Sequence, residues 1–157
     1  MIGIISDTHD NVQNIMNAVE VFKKLKVKLV IHLGDIVAPA TVKYFKDLPM
    51  KFVKGNVDGA EIDILQEKIK DIDGEFYPDK LELDLNGKKL LAVHEPDNHA
   101  ITSGIYDYYL HGHTHRKRNQ KIGRTRIINP GSHYYDGDNT IVILDIDKNK
   151  VEFIEVS

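Results

Sequence analysis

The sequence predicts an α/β fold with a largely parallel first half and a more strand-rich second half. Two observations support this prediction. Strands and helices alternate three times within residues 1–70, as they do in βαβ units. After that, short apolar runs separated by turn signals outnumber helical patterns, which favours antiparallel or mixed pairing. No Ser/Pro-rich linker, repeat or low-complexity segment divides the chain, so residues 1–157 are expected to form one domain.

The elements of the first half follow from its apolar periodicity. Ile2–Ile5 is a short apolar run, which predicts a strand buried on both faces. Apolar residues then recur at helical spacing from Val12 to Leu25, with lysines near the end, where the helix dipole favours them. The same patterns predict strands at Lys28–Leu33 and Phe52–Val53 and helical segments at Thr41–Phe45 and Ile62–Ile69.

The second half opens with a hairpin signal. Leu81–Leu85 and Leu90–Val93 flank Asn86-Gly87, a dipeptide that favours the tight turn between two antiparallel strands. Further strands are predicted at Tyr106–Leu110, Arg126–Ile128, Ile141–Ile146 and Val151–Val156.

Composition excludes several classes of function. The apolar share of 41% and the charged share of 29% are ordinary for a globular domain. A formal net charge of −3 disfavours nucleic acid as a partner, because such binding depends on Lys and Arg neutralising phosphates. The chain contains no cysteine, which excludes disulfides and thiolate chemistry. No apolar stretch is long enough for a membrane span or signal peptide, so a cytoplasmic location is expected.

Side chains suited to metal binding follow the predicted strands where each strand ends. Open α/β sheets place their sites at the carboxyl ends of the strands, since the loops there converge on one edge. Any one of these residues alone would be interpreted as a turn former, a helix cap or a structural histidine. Five separate segments together predict one shared site. The candidates are Asp7 and His9, then Asp35, Asn56 and His94, and finally His113 and His115.

The chemistry of these residues indicates a transition metal. Carboxylate, imidazole and amide ligands without sulfur suit Mn²⁺, Fe, Zn²⁺, Ni²⁺ or Co²⁺. Gly34, Gly55 and Gly112 each precede a candidate residue, and a glycine can take a positive φ that lets the backbone approach a metal or phosphate closely. His113 and His115 are two residues apart, so in an extended segment both imidazoles would point the same way.

In this order, Asp7-x-His9, Gly34-Asp35, Gly55-Asn56, His94 and Gly112-His113-Thr114-His115 resemble the calcineurin-like metallophosphoesterase family. The short length and the stretch from Asn129 to Ser132 are similar to its small archaeal and bacterial phosphodiesterase branch. Asp-x-His alone is a weak motif, whereas all five elements in order are specific. The resemblance implies two mixed β-sheets packed as a sandwich flanked by helices, with a binuclear metal centre at one edge.

The resemblance also implies a mechanism. Two divalent transition-metal ions are expected, Mn²⁺ foremost and Ni²⁺, Co²⁺, Fe or Zn²⁺ as alternatives, and a pair roughly 3.5–4 Å apart activates a shared water. The implied reaction is attack of a metal-bound hydroxide on the phosphorus of a small phosphoester. Because histidine ligands must be neutral, metal and activity are expected to be lost at acid pH. The resemblance assigns Asp7, His9 and His115 to one metal and Asn56, His94 and His113 to the other, with Asp35 bridging, and gives catalytic roles to Asp35, Asn56 and His94.

Three positions depart from the family pattern. Val57 stands where many members carry a histidine that assists protonation of the leaving group, so activated leaving groups would need that help least. Ala38 stands where an acidic residue or histidine is common. Glu95-Pro96-Asp97 follows His94 in place of glycine, and these carboxylates are expected to repel a highly anionic substrate, to restrict its size or to bind metal themselves.

Alternatives to a phosphodiesterase remain open at this point. A phosphomonoesterase would use the same residues on a different substrate. A member of the same family, a retromer subunit, is a non-catalytic protein-interaction scaffold with a degraded metal site, and the complete set of ligand types here argues against that role. The acidic balance counts against a nuclease. Homo-oligomers are common among the relatives, so an oligomer is a further expectation by analogy.

Several other polar and aromatic residues have a structural interpretation beside a functional one. Structural roles are expected for His32 and His111, whereas surface positions are expected for His99 and His133. Asp10 and Asn11 either orient His9 or start the first helix, and Asp58 either supports the ligand residues or forms a turn. Core and rim positions are expected for Tyr106, Tyr108, Tyr109, Tyr134 and Tyr135.

Overall fold

The computed structural model describes residues 1–157 and contains two mixed β-sheets. The first sheet has six strands in the order β11-β10-β1-β2-β3-β4. Strands β1 to β4 run parallel to one another, whereas β10 pairs antiparallel with both β1 and β11. The bounds are β1 Ile2–Ile5, β2 Leu29–His32, β3 Met50–Val53, β4 Glu75–Tyr77, β10 Thr140–Asp145 and β11 Lys150–Glu155.

The second sheet has five strands in the order β5-β6-β7-β9-β8. Strands β6, β7 and β9 are parallel, and the antiparallel strands β5 and β8 lie at the two edges. Asn86 and Gly87 both adopt positive φ in the β5–β6 turn, as the hairpin signal predicts. The bounds are β5 Lys80–Leu85, β6 Lys88–Val93, β7 Tyr108–Leu110, β8 Arg118–Ile122 and β9 Thr125–Asn129.

Helices cover the outer face of the first sheet. They are α1 (Val12–Lys24), a 3₁₀ helix (Pro39–Phe45) and α2 (Ile62–Asp71). Their buried side chains pack with those of β1, β2 and β3 in one cluster of 18 buried residues that includes Phe22, Phe45 and Phe52. The predicted helical segment at Thr41–Phe45 is therefore real but is 3₁₀ rather than α. No helix is long and apolar enough to span a membrane.

A second cluster of 13 buried residues fills the space between the two sheets. Ile4, Val142 and Leu144 of the first sheet meet Leu110 and Ile128 of the second there. The predicted sandwich of two mixed sheets flanked by helices is thus confirmed. Three short elements had no clear sequence signal, namely β4, β8 and helix α3 (Asn98–Thr102).

Candidate metal centre

All seven candidate residues lie in loops at one edge of the sandwich. Each loop follows the carboxyl end of a parallel strand, because β1, β2 and β3 of one sheet and β6 and β7 of the other all end there. Backbone hydrogen bonds join the loops, for example from Asp7 N–H to the Gly34 carbonyl at 2.9 Å and from Gly112 N–H to the His94 carbonyl at 3.0 Å. The two sheets therefore contribute jointly to one site.

One group of ligand atoms belongs to Asp7, His9, Asp35 and His115, and these atoms lie within 4.8 Å of one another. His115 Nε2 is 3.3 Å from Asp7 Oδ1, and His9 Nε2 is 3.6 Å from Asp35 Oδ2. Asp7 and Asp35 are buried, whereas the two histidines are partly exposed. Two carboxylates and two imidazoles at this spacing can surround a divalent cation.

A second group lies on the other side of Asp35. His94 Nε2 is 3.4 Å from Asp35 Oδ2 and 2.8 Å from Asn56 Oδ1. His113 Nδ1 is 3.1 Å from the same amide oxygen of Asn56. Asp35 Oδ2 therefore faces both His9 and His94, which is the position that a bridging carboxylate requires.

Two of the four buried side-chain atoms without a hydrogen-bond partner belong to the first group, where they fit a metal ion. Asp7 Oδ1 and His9 Nε2 are both inaccessible to solvent and have no hydrogen-bond partner. A buried polar atom without a partner is costly, and such atoms are rare in native proteins. Both atoms belong to candidate ligand residues of the same cluster, and a cation would satisfy both lone pairs. The residues present therefore fit a bound metal.

The backbone at the site is unusual. Left-handed φ values are uncommon for residues other than glycine, yet five of the seven candidate residues adopt them. Their φ values lie between 41° and 65°. The interpretation of His113-x-His115 as an extended pair was wrong, because both residues adopt left-handed backbone and their imidazoles diverge toward Asn56 and Asp7. The five residues are Asp7, His9, Asp35, His113 and His115.

The three glycines are required for two different reasons. Gly34 has φ of +99°, as expected for a glycine before a ligand residue. Gly55 and Gly112 do not adopt positive φ, so that part of the expectation was wrong. A Cβ on Gly55 would overlap the Asp35 backbone nitrogen and carboxylate, and one on Gly112 would overlap the Ser6 hydroxyl. These two glycines permit close approach of neighbouring loops.

Asp58 acts as a clamp, in that it binds the backbones of two loops of the site. The sequence alone left open whether Asp58 supports the ligand residues or only forms a turn. Its buried carboxylate accepts backbone N–H groups from Asp35 at 2.9 Å and Gly55 at 2.7 Å through Oδ2. Oδ1 accepts two more, from Ile36 and Val37. The loops that present Asp35 and Asn56 are thereby fixed to each other.

Two other polar residues have support roles. Asp10 Oδ1 accepts the Ala38 N–H at 2.8 Å, which joins the first loop to the loop after Asp35. Asn11 caps helix α1 by accepting the Asn14 N–H, and its Nδ2 donates to the carbonyl of His133. The helix-start alternative is therefore confirmed for Asn11, whereas neither Asp10 nor Asn11 hydrogen-bonds the His9 side chain that they were expected to orient.

Burial and ion pairing set the protonation of the central residues. Burial raises the pKa of the Asp7 carboxyl, although the hydroxyl of Ser6 donates to it at 2.5 Å. Burial is the largest single influence on both the Asp35 and the His94 pKa, but their mutual hydrogen bond and charge, together with further contacts, outweigh it. Together these contacts lower the pKa of the Asp35 carboxyl and raise that of the His94 imidazole. The Val57 N–H, which donates to Asp35 Oδ1 at 3.1 Å, favours the ionised carboxylate further.

The other histidines divide between core and surface. His32 and His111 are buried, as predicted, and His99 is exposed. His133 was expected at the surface, but it is 1% exposed because Asn14 and the segment leading into β10 cover it. Burial lowers the pKa of His133 to about 4 and that of His32 to about 3.

The tyrosines occupy core and rim positions as expected. Tyr108 and Tyr109 are buried, Tyr106 is partly buried, and Tyr135 is 90% exposed. Tyr134 lies at the rim of the site, with its ring centroid 4.7 Å from that of His9. The expectation of a core or rim position did not extend to the contact of Tyr134 with His9, which depends on the packing of the loop after His133.

A cavity of ≈ 650 Å³ adjoins the site. Asn56 and His94 form the wall that it shares with the ligand cluster. Part of the cavity lining is apolar and comes from Leu91, Val93, Ala100, Tyr106 and Tyr109. The charged side chains around the cavity are those of Lys54, Lys80, Asp79, Glu95 and Asp97. The volume is in the range of small-molecule sites.

Comparison with known proteins decides the family. Residues 1–149 match the calcineurin-like phosphoesterase superfamily domain. The chain belongs to this family. It is 37% identical over 158 residues to the phosphodiesterase MJ0936 of Methanocaldococcus jannaschii, covering 95% of each protein. The chain is accordingly a hydrolase of phosphoesters, as the resemblance implied.

Solved structures show the same relationship. An archaeal phosphodiesterase superposes with a TM-score of 0.89 at 36% identity, and 98% of each chain is covered. A phosphoesterase from Escherichia coli gives a TM-score of 0.74 at 16% identity over 99% of each chain. Vps29 from Entamoeba histolytica gives 0.68 at 15% identity, also over 99% of each chain. At these lower identities the likeness is one of fold alone.

Proposed function

We propose that the chain, acting as one domain over residues 1–157, is a phosphodiesterase that hydrolyses a small phosphoester with two divalent transition-metal ions. The observation that carries this proposal is the cluster of Asp7, His9, Asp35 and His115, in which two solvent-inaccessible ligand atoms have no hydrogen-bond partner. The phosphodiesterase activity named for the relative from M. jannaschii supports the choice of a diester.

The two groups of side chains correspond to two metal positions. The first metal would be held by Asp7, His9 and His115. The second would be held by the residues on the far side of Asp35, whose Oδ2 faces both groups. Mn²⁺ is the first candidate, with Ni²⁺, Co²⁺, Fe and Zn²⁺ as alternatives, because all accept this ligand chemistry. The ligands proposed for the second metal are Asn56, His94 and His113.

The bound metals would supply Lewis acidity and lower the pKa of a water molecule at the site. The protein supplies orientation. The Leu33 carbonyl lies 2.7 Å from His94 Nδ1 and holds that imidazole with Nε2 toward Asp35 and Asn56. Asn56 lies on the wall between the ligand cluster and the cavity, so its amide can donate to a phosphate oxygen.

We assign the adjoining cavity to the organic group of the substrate. Its apolar surface suits a carbon skeleton, while Glu95 lies directly after His94 and forms no ion pair. A monoanionic diester is repelled by this carboxylate less than a dianionic monoester is. Lys54 also forms no ion pair and is available to a substrate oxygen. Charge around the cavity thus favours a diester with an uncharged organic group.

The first experiment is to strip the protein of metal and assay bis-p-nitrophenyl phosphate and p-nitrophenyl phosphate with Mn²⁺, Ni²⁺, Co²⁺, Zn²⁺ and Mg²⁺ in turn. Asp35→Asn should lower diester hydrolysis about 100-fold or more, because a bridging ligand loses its charge. Asp84→Asn removes an exposed carboxylate that accepts only one turn N–H and serves as the control. Binding of two metals per chain should be measured by calorimetry.

Each other outcome has a defined meaning. Preference for the monoester would keep the metal centre and change the substrate class to phosphomonoesters. Absence of turnover with every metal, in a folded protein, would refute the enzymatic proposal for these substrates and favour a scaffold such as the one represented by Vps29. One bound metal per chain would contradict the binuclear centre.

A further inference from the structure

A second cavity, of ≈ 480 Å³, lies at the end of the sandwich remote from the candidate metal centre. Strands β6, β7 and β9 run toward the metal centre, and this cavity is lined by residues at their amino-terminal ends. The turn between β10 and β11 closes it from the other sheet through Ile146, Asp147 and Asn149. Both sheets therefore build the cavity, as they do the metal centre.

The lining of this cavity carries an excess of positive charge. Four cationic residues line it against two carboxylates. One of these carboxylates, Asp107, already accepts hydrogen bonds from Arg124 at 2.8 Å and from the Lys89 N–H at 2.9 Å. Lys88 Nζ also lies 3.9 Å from Asp107 Oδ1. The charges without an ion pair are therefore those of Lys121 and Arg126 against that of Asp147. The four cations are Lys88, Lys121, Arg124 and Arg126.

Two of the cations are directly opposed. Lys121 of β8 and Arg126 of β9 are paired residues in the antiparallel register, so their side chains extend from the same face of the sheet. Like charges placed directly opposite destabilise a sheet. No carboxylate lies within ion-pair distance of either side chain. An anion between them would convert this repulsion into attraction.

Arg126 provides an independent indication. Its Nε is inaccessible to solvent and has no hydrogen-bond partner, while Nη1 donates to the Asn119 side chain at 3.2 Å. A buried donor of a charged group without an acceptor is costly. The other atoms with this property are His133 Nε2 and, at the candidate metal centre, Asp7 Oδ1 and His9 Nε2. Because Arg126 Nε is a donor, the partner that would satisfy it is a hydrogen-bond acceptor, such as an anion, and not a cation.

We infer that this cavity binds the phosphate group of a small ligand between Arg126 and Lys121. The arginine fork and the neighbouring ammonium group suit a tetrahedral dianion. A phosphate group alone would leave most of the cavity empty. Tyr108 and Ile146 line the remaining space and offer apolar surface to an organic portion of the ligand. The inference is independent of the activity at the metal centre.

The test is an NMR titration of the full-length protein, with and without Mg²⁺, using inorganic phosphate and phenylphosphonate as probes. Neither probe can be hydrolysed as an ester. Saturable amide shifts are expected at residues 88, 107–108, 121–126 and 146–149 in both metal states. Tighter binding of phenylphosphonate would assign an organic phosphate as the ligand, and equal affinity would assign free phosphate.

Three variants complete the test. Arg126→Met and Lys121→Met should each weaken the probe at these amides about tenfold or more, since each removes a charged donor. Lys70→Met removes an exposed cation on α2 and should leave the titration unchanged. Lys121 is exposed near the end of β8, so its variant is expected to fold even where Arg126→Met does not. Absence of saturable shifts, or unaltered binding in both cavity variants, would overturn the inference.

Discussion

Asp58 Oδ2 accepts the backbone N–H of Asp35 at 2.9 Å and thereby holds the proposed bridging carboxylate in place. The same oxygen accepts the Gly55 N–H at 2.7 Å, so the Asp35 loop and the Asn56 loop share one anchor. A carboxylate that accepts several N–H groups is well suited to fix two loops. The geometry of the proposed bridge therefore depends on a residue that is not itself a proposed ligand.

Asp58→Asn is expected to weaken metal binding about 10- to 100-fold, because the amide can accept at only one of the two oxygen positions. Unsatisfied buried N–H groups should also lower the free energy of unfolding by roughly 1–3 kcal/mol. Metal titration by calorimetry and urea unfolding measure the two effects. Asp84→Asn, at an exposed turn, should change neither. Unaltered metal affinity in Asp58→Asn would contradict the role as a clamp.

Gly55→Ala tests the close approach of two loops. A Cβ at this position would overlap the backbone nitrogen and the carboxylate of Asp35, so the loop must shift. We expect loss of high-affinity metal binding in a protein that still folds. Gly59→Ala in the same loop is the matched control, since its nearest neighbour would be the flexible Lys54 side chain at 3.7 Å. Equal metal affinity in the two variants would show that the approach is not required.

Glu95→Gln should change the preference between substrates. Removing a negative charge beside His94 is expected to raise kcat/KM for a dianionic monoester roughly two- to fivefold relative to a monoanionic diester. Glu67→Gln, at an exposed position on α2, should leave this ratio unchanged. The ratio is measured with p-nitrophenyl phosphate and bis-p-nitrophenyl phosphate. A ratio identical to that of the unaltered protein would remove Glu95 from the account of specificity.

Val57→His should add a proton donor without moving the loop. The Val57 side chain is 40% exposed, and only its backbone N–H contacts Asp35. The variant is expected to accelerate hydrolysis of esters with poorly acidic alcohols, by up to about 100-fold, and to change nitrophenyl esters little. The rate is measured across a series of leaving groups. Val57→Gln is the control, because glutamine is polar but cannot act as a general acid.

His32 should make the protein less stable in acid. Its Nδ1 accepts the Gly34 N–H at 3.1 Å, and burial lowers its pKa to about 3 against a reference of 6.5. Below pH 6.5 the His32 side chain binds a proton in the unfolded chain but not in the folded protein. The free energy of unfolding therefore decreases as the pH is lowered. Between pH 7 and pH 5 this should cost about 2 kcal/mol.

Urea unfolding of metal-stripped protein at both pH values measures the effect of His32. His32→Gln keeps a polar side chain that does not titrate, so its loss of stability between the two pH values should be smaller by about that amount. An equal pH dependence in the two proteins would assign the acid sensitivity to other groups, such as His133.

The sequence predicted those features of the fold and the site that depend on residue type and on position along the chain. Apolar periodicity located the main strands and α1, and ligand-type residues after strand ends were brought together because parallel strands end at one edge. Strand β8 was missed because only Ile122 is strongly apolar in a largely exposed edge strand. The left-handed backbone of His113 and His115 was also missed, since contacts between loops determine it and local spacing does not.

Asp58 binds only main-chain N–H groups, which every residue except proline possesses. These bonds fix the main chain from Asp35 to Val37 whichever side chain stands at position 37, whereas the Ile36 side chain is buried in the core. Val37 and Val57 are both exposed and hydrogen-bond through their backbone N–H groups, Val37 to Asp58 and Val57 to Asp35, so these bonds remain when the side chains are exchanged. New side chains at these two positions can therefore alter the accepted substrate while the residues of the proposed metal centre keep their places.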